Sequence, residues 1–176
     1  NPKDKVFVDF NNTALMSPVA YLPQALAVAV GRMLRCPPIV LMYLGRVTTF
    51  LVWLWMVYVA IRWTPVGKWL FVFLALMPMS LFEAASLSHD ALTNSMAFLL
   101  TAAALRLALD PAKRVGWRDV LLFGAMAAGV SLSKFGYAGL VFLFLLVSFE
   151  KAGGYRRYAA MLAAVLAMAG LAWGLW

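Results

Sequence analysis

The sequence predicts an all-α protein, a polytopic transmembrane bundle of about 5–6 spanning or half-spanning helices. Three observations predict it. Hydrophobic residues make up 65% of the 176 and charged residues only 12%, against about 45–50% and about 25% in a soluble domain. Apolar stretches of membrane-crossing length recur along the chain. The basic residues collect in the short polar loops between those stretches, as the positive-inside rule requires.

Residues 1–38 do not form a clean span. Lys3, Asp4, Lys5 and Asp9 crowd charge into the first nine positions, Pro18 and Pro23 interrupt the next stretch, and Pro37-Pro38 end it. Within this segment 21–35 (YLPQALAVAVGRMLR) predicts a short helix. It is too short to cross and suits the membrane interface, with Arg32 and Arg35 reaching headgroups. Residues 39–62 are long enough to cross and carry one charge, Arg46. The turn 63–67 (WTPVG) leads into an apolar stretch, 66–82, that ends near Pro78. The segment 83–90 (EAASLSHD) is polar and acidic, and 91–109 crosses again. Asp110-Pro111 then breaks the helix and opens a basic loop, 110–118.

Residues 119–149 are too long for one comfortable span at about 1.5 Å per residue. Ser133-Lys134-Phe135-Gly136 lies at their centre, so the stretch predicts two short helices that meet there. The basic loop 150–157 comes next, and 158–176 begin a last span. The hairpin reading keeps both flanking basic loops on one side of the membrane; a single tilted helix would separate them. Arg62, Lys68, Arg106, Lys113, Arg114, Arg118, Lys151, Arg156 and Arg157, nine of the fifteen basic residues, then share the cytoplasmic face. The opposite face receives 1–38, the 83–90 loop and Lys134. We therefore divide the chain into an extracytoplasmic loop with an interfacial helix, 1–38, and a transmembrane bundle, 39–176. The start at Asn1 and the end within the apolar run 159–176 lead us to expect a longer polytopic protein, with at least one earlier span.

The net charge of +8 speaks to topology and anionic headgroups; no basic stripe on a soluble module suggests nucleic acid. One cysteine, Cys36, excludes an intrachain disulfide and disfavours a thiolate metal site. No P-loop, dinucleotide-binding glycine motif, Cys-x-x-Cys or HExxH occurs.

Charges at membrane depth are costly and usually face a cavity or a partner. Asp9, beside Asn11 and Asn12, reads as a general base or metal ligand over a cavity, or as a solvated carboxylate that caps a helix. Asp90 opens a span, where the helix dipole favours a carboxylate, or it is a second acidic group at the same cavity. His89 and Asp90 are a metal-capable pair, and two ligands do not make a site. Arg46 either snorkels or clamps a phosphate with its planar fork. Lys134 meets a phosphate or pairs with an acidic residue. Glu83 reads as solvated loop charge.

The segments "NNTALMSPVAYLPQALAVAVGRML", "YLGRVTTFLVWLWMVYVAIR" and "LMPMSLFEAASLSHDALTNSMAFLLTAAALRL" resemble the bacterial predicted membrane proteins grouped as domain-of-unknown-function family 2142. That family in turn resembles the GT-C class of membrane glycosyltransferases. The order of an acidic first loop, an Arg in the next span, an acidic second loop and "GAMAAGVSLSKFGYAGL" with its Leu-x-Lys is similar to theirs; "FVDFNN" departs from their short acidic motif. The resemblance implies transfer of a sugar from a polyprenyl-phosphate donor to a cell-envelope glycan or lipid acceptor, at the outer face of the bacterial cytoplasmic membrane. Asp9 would deprotonate the acceptor hydroxyl. Arg46 and Lys134 would stabilise the phosphate leaving group, and Asp90 would orient the acceptor or hold a divalent cation. The readings that compete with it are a transporter or flippase of a lipid-linked or anionic substrate, and a non-catalytic membrane scaffold subunit.

Overall fold

Helix-breaking residues set the element boundaries, and the computed structural model describes residues 17–174. A 3-10 turn, Pro18–Tyr21, opens on Ser17, whose hydroxyl accepts the Val19 N–H at 3.3 Å. Helix α1 (Leu22–Met33) begins directly after it. It ends where Arg35 takes a left-handed φ of 55° and the Cys36 N–H bonds to the Gly31 carbonyl at 3.0 Å; Pro37-Pro38 then prevent the helix from continuing. The predicted helix at 21–35 is thus present, slightly trimmed at both ends. Gly31 lets α1 lie close to α2, since a Cβ there would sit 2.5 Å from Leu41 Cδ2.

Helix α2 (Pro38–Trp63) starts with a proline in its first turn, where the missing N–H costs nothing. Gly45, Thr49, Trp53, Met56, Val57 and Ala60 form its buried stripe, at helical spacing, while the rest of the surface stays apolar and exposed. The chain turns at Gly67, φ 67°, a conformation glycine adopts without strain.

The apolar stretch 66–82 is broken into α3 (Lys68–Ala75) and α4 (Pro78–Ala84). Pro78 lacks the N–H that would bond to the Leu74 carbonyl. The Ser80 hydroxyl takes its place, donating to Leu74 O at 3.0 Å. Eight helical residues reach only about 12 Å, so neither piece crosses a bilayer alone.

Helix α5 (Asp90–Leu109) is the centre of the molecule. Leu92, Leu99 and Ala102 pack against α2 and α3, while Leu100, Ala103, Ala104 and Leu107 pack against the later elements. Because it buries opposite faces, it has no polar stripe to advertise its place. Among the described helices, α2 and α5 are long and apolar enough to cross a membrane.

Helix α6 (Trp117–Ser133) runs back toward the start of α5, and a 3-10 helix, Phe135–Leu146, returns. The two meet at Lys134, whose backbone is extended, as the composition of 119–149 predicts. A 3-10 helix rises about 2.0 Å per residue, against about 1.5 Å in an α-helix. Its residues therefore cover about 24 Å, nearly the length of α6, with fewer positions. Helix α7 (Tyr155–Gly174) packs along α6, where Gly124 admits Met168. Phe123 and Phe144, both fully buried, meet with ring centroids 5.3 Å apart at the centre of this half.

The hairpin brings the two basic loops together: the Val115 N–H bonds to the Lys151 carbonyl at 3.0 Å. The Lys151 ammonium donates to the carbonyls of Leu107 (3.3 Å), Ala108 (2.8 Å) and Asp110 (2.8 Å). It thereby satisfies the acceptors that the end of α5 leaves open and complements the negative pole of the helix. Lys151→Met keeps the aliphatic stem and removes all three bonds. We expect it to destabilise the chain by about 1–3 kcal/mol, seen as a lower melting temperature of the purified protein in detergent. An unchanged melting temperature would show that water serves those carbonyls equally well.

Candidate functional site: a polar cluster at the mouth of an apolar groove

Four chain ends converge opposite the basic loops: the close of α4, the start of α5, the α6–3-10 junction and the turn Pro18–Tyr21. Two short hydrogen-bonded runs form there. In the first, Lys134 Nζ lies 3.1 Å from Asp90 Oδ1, and His89 Nε2 lies 3.4 Å from the same oxygen. The Ser88 hydroxyl donates to Asp90 Oδ2 at 3.2 Å and accepts the Asp90 N–H at 3.1 Å. His89 Nδ1 is 3.4 Å from the Tyr21 hydroxyl. In the second run, the Asn94 amide donates to the Glu83 carboxylate and accepts from the Tyr137 hydroxyl, at 3.1 Å. The Lys134 ammonium also stands 5.9 Å from the centre of the Tyr137 ring, which links the runs.

The cluster is neither buried nor freely solvated. The Asp90 and Lys134 side chains are 28% and 42% exposed, and His89 is 18% exposed. His89 Nε2 is itself buried and, though close to Asp90, not aligned for a hydrogen bond. One ammonium faces two carboxylates, so incoming groups meet donors and acceptors of both signs rather than a purely cationic pocket.

A groove of about 760 Å³ runs from this cluster between α3, α5 and the 3-10 helix. Asn94 and Tyr137 stand at its polar end. Below them its walls are Leu70, Phe71, Leu74 and Met77 on one side and Ala97, Phe98, Leu105 and Leu140 on the others. Its floor along the 3-10 helix includes Gly136 and Gly139, at which an added Cβ would meet nothing within 4 Å. From Asn94 to Leu105 the groove follows α5 for about 16 Å.

Asp90 and Lys134, read separately in the sequence, are therefore direct partners across 44 positions. Arg46 does not join them. Its side chain is exposed and makes no hydrogen bond or ion pair among the described residues. Its neighbour Gly45 is the residue that faces the 83–90 loop, where a Cβ would lie 2.8 Å from Leu87 Cδ2. Asp9 lies outside the described residues. Glu83, expected to be plain loop charge, belongs to the second run. Tyr21, Asn94 and Tyr137 were not singled out by sequence reasoning. Asn94 carried a signal: it sits one helical turn after Asp90, on the same face of an apolar span.

Among the described residues the donor set does not by itself make a divalent-cation site. Asp90 Oδ1 is taken by Lys134, and no group of three or more His, Cys, Asp or Glu side chains gathers among the described residues. Such ions ask for several carboxylate or imidazole donors together.

The described residues are all-helical, with two helices long and apolar enough to cross a bilayer and a polar cluster above an apolar groove. The chain belongs to the family of predicted membrane proteins DUF2142, whose profile matches residues 1–176. No curated protein and no solved structure matches it.

Proposed function

We propose that this protein is a GT-C-like glycosyltransferase of the bacterial cytoplasmic membrane, which transfers a sugar from a polyprenyl-phosphate donor to a cell-envelope glycan or lipid acceptor. The observation that carries the reading is the groove. A long apolar trough with hydrogen-bonding groups at one end suits an amphiphile whose chain stays in the bilayer and whose head reaches the cluster. In this reading the polyprenyl chain lies along α5 and the 3-10 helix, and the sugar-phosphate head meets Lys134, Asn94 and Tyr137. Lys134 leaves Asp90 to stabilise the phosphate leaving group in a poorly hydrated site. Asp90, released, orients the acceptor hydroxyl, and Asp9 takes its proton as the bond to the anomeric carbon forms.

The same reading makes this chain multi-pass, with about 5–6 spanning or half-spanning elements. The cluster would face the outer side and the Lys151 loops the cytoplasm. Helix α1 then lies in the interface: Leu22, Leu26, Val30 and Met33 form an exposed apolar stripe, and Arg32 and Arg35 flank it.

The groove offers a direct test. Gly139→Leu places an apolar side chain in it, at a position where a Cβ meets nothing within 4 Å and the backbone φ is ordinary. In a strain whose gene carries this change, with equal membrane protein level, we expect at least a roughly tenfold loss of surface-glycan product, the scale of a displaced apolar contact, together with an unchanged melting temperature. A normal glycan beside a clear defect in the deletion strain would remove the groove from the function. A deletion strain with no glycan change would remove the glycosyltransferase reading itself.

A further inference from the structure

A second pocket lies at the other end of α5, about 24 Å from Asp90 along the helix. Its volume is about 180 Å³, and it sits between the end of α2, α5, the 110–118 loop and α6. The Arg106 guanidinium stands 5.8 Å from the centre of the Trp63 ring, which holds it at the pocket wall. Lys113 Nζ is 2.8 Å from Asp119 Oδ1, and the Gly116 N–H takes Asp119 Oδ2 at 3.0 Å. Both oxygens of the single carboxylate are thus committed. Arg106 has no hydrogen-bond or ion-pair partner among the described residues. Two cations against one anion leave the pocket positive, and the partly buried guanidinium keeps its fork of donors open.

We propose that this pocket binds the phosphate of an anionic phospholipid. Charge and shape both support that occupant. Arg matches phosphate oxygens bidentately, and basic pockets between helices at the positive end of a membrane protein hold anionic headgroups. The pocket has room for a phosphodiester and part of its glycerol. At its rim Leu122 is exposed and Met126 continues the wall, so apolar surface begins where the acyl chains of a bound lipid would start. Lys113 stays with Asp119 and adds its field, and Arg106 makes the direct contact.

The full-length protein, purified in an uncharged detergent, is titrated with phosphatidylglycerol, phosphatidylcholine and inorganic phosphate. Binding is followed by native mass spectrometry and by melting temperature. Phosphatidylglycerol is expected to bind and raise the melting temperature, and the other two to do neither. Arg106→Gln weakens phosphatidylglycerol about five-fold, the scale of one charge near an anionic lipid. Asp119→Asn removes the opposing charge, keeps an oxygen for the Gly116 N–H and tightens binding about five-fold. Equal binding of phosphatidylcholine overturns the proposal, as does a phosphate effect that matches the lipid's, which would make this a free-anion site. Should Arg106→Gln fail to fold, Asp119→Asn decides alone, and no gain there also overturns it.

Discussion

Lys134→Met is expected to abolish the glycan product and to destabilise the fold, whereas Asp90→Asn/Lys134→Met recovers the stability and none of the product. The pair explains both halves. Lys134 Nζ and Asp90 Oδ1 lie 3.1 Å apart and join the start of α5 to the α6–3-10 junction. Removing the ammonium alone leaves a partly buried carboxylate with Ser88 and the neighbouring imidazole, a loss of about 1–3 kcal/mol. Removing both charges takes away the unpaired group as well as the bond, and such double replacements are often close to neutral. Stability alone therefore cannot separate a staple from a working group, and the product can. A double variant with wild-type stability and no product assigns the Lys134–Asp90 pair to substrate handling. Full product from the double variant would reduce the pair to a staple and leave the phosphate without its cation. The measurements are membrane protein level, melting temperature and surface-glycan profile of the same strains.

Phe144→Ala is expected to produce the largest loss of stability of any single change in the second half of the chain. Phe144 is fully buried; its ring meets Phe123 at 5.3 Å and lies nearly parallel to Tyr158, 6.0 Å away. Truncating such a ring costs about 3–5 kcal/mol, because transfer energy is lost and the cavity cannot fully close. For a chain of this size the melting temperature should fall by roughly 6–20 °C. The position matters for function too. Phe144 anchors the far half of the 3-10 helix, whose near half carries Gly136, Tyr137 and Gly139 at the groove. Leu145→Ala, one residue on and 54% exposed, should change stability by no more than about 0.5 kcal/mol. Equal effects of the two variants would contradict the placement of Phe144 in the core.

Much of the architecture was legible because its causes are local. Proline positions predicted the end of the first segment, and Pro37-Pro38 close α1 as expected. The excess length of 119–149, with Lys134 and Gly136 at its middle, predicted a hairpin, and the Val115–Lys151 backbone bond shows both basic loops at one end. Pro78 was read as the close of an apolar stretch. It instead splits that stretch: the Leu74 carbonyl, which the proline cannot serve, is met by the Met77 N–H and the Ser80 hydroxyl, and α4 continues beyond it.

The site was legible only in part. Asp90 and Lys134 stood out singly, as charges in apolar surroundings do. Their pairing depends on how α5 and the 3-10 helix align, and no local pattern encodes that. Asn94 and Tyr137 looked like ordinary polar decoration until they met each other and Glu83. Arg46 drew attention for the same reason as Lys134, yet it lies on the exposed side of α2, one position away from the buried stripe.

The sequence by itself determined that this chain is helical, that it suits a membrane, where its helices break and which loops share a charge. Composition, hydropathy and proline act over a few residues and need no partner. Only the tertiary structure decided which carboxylate Lys134 faces, that Lys151 closes α5, and that two glycines leave a groove beneath the polar cluster. Those facts arise from contacts between segments more than forty residues apart, where packing geometry rather than local preference selects the partner.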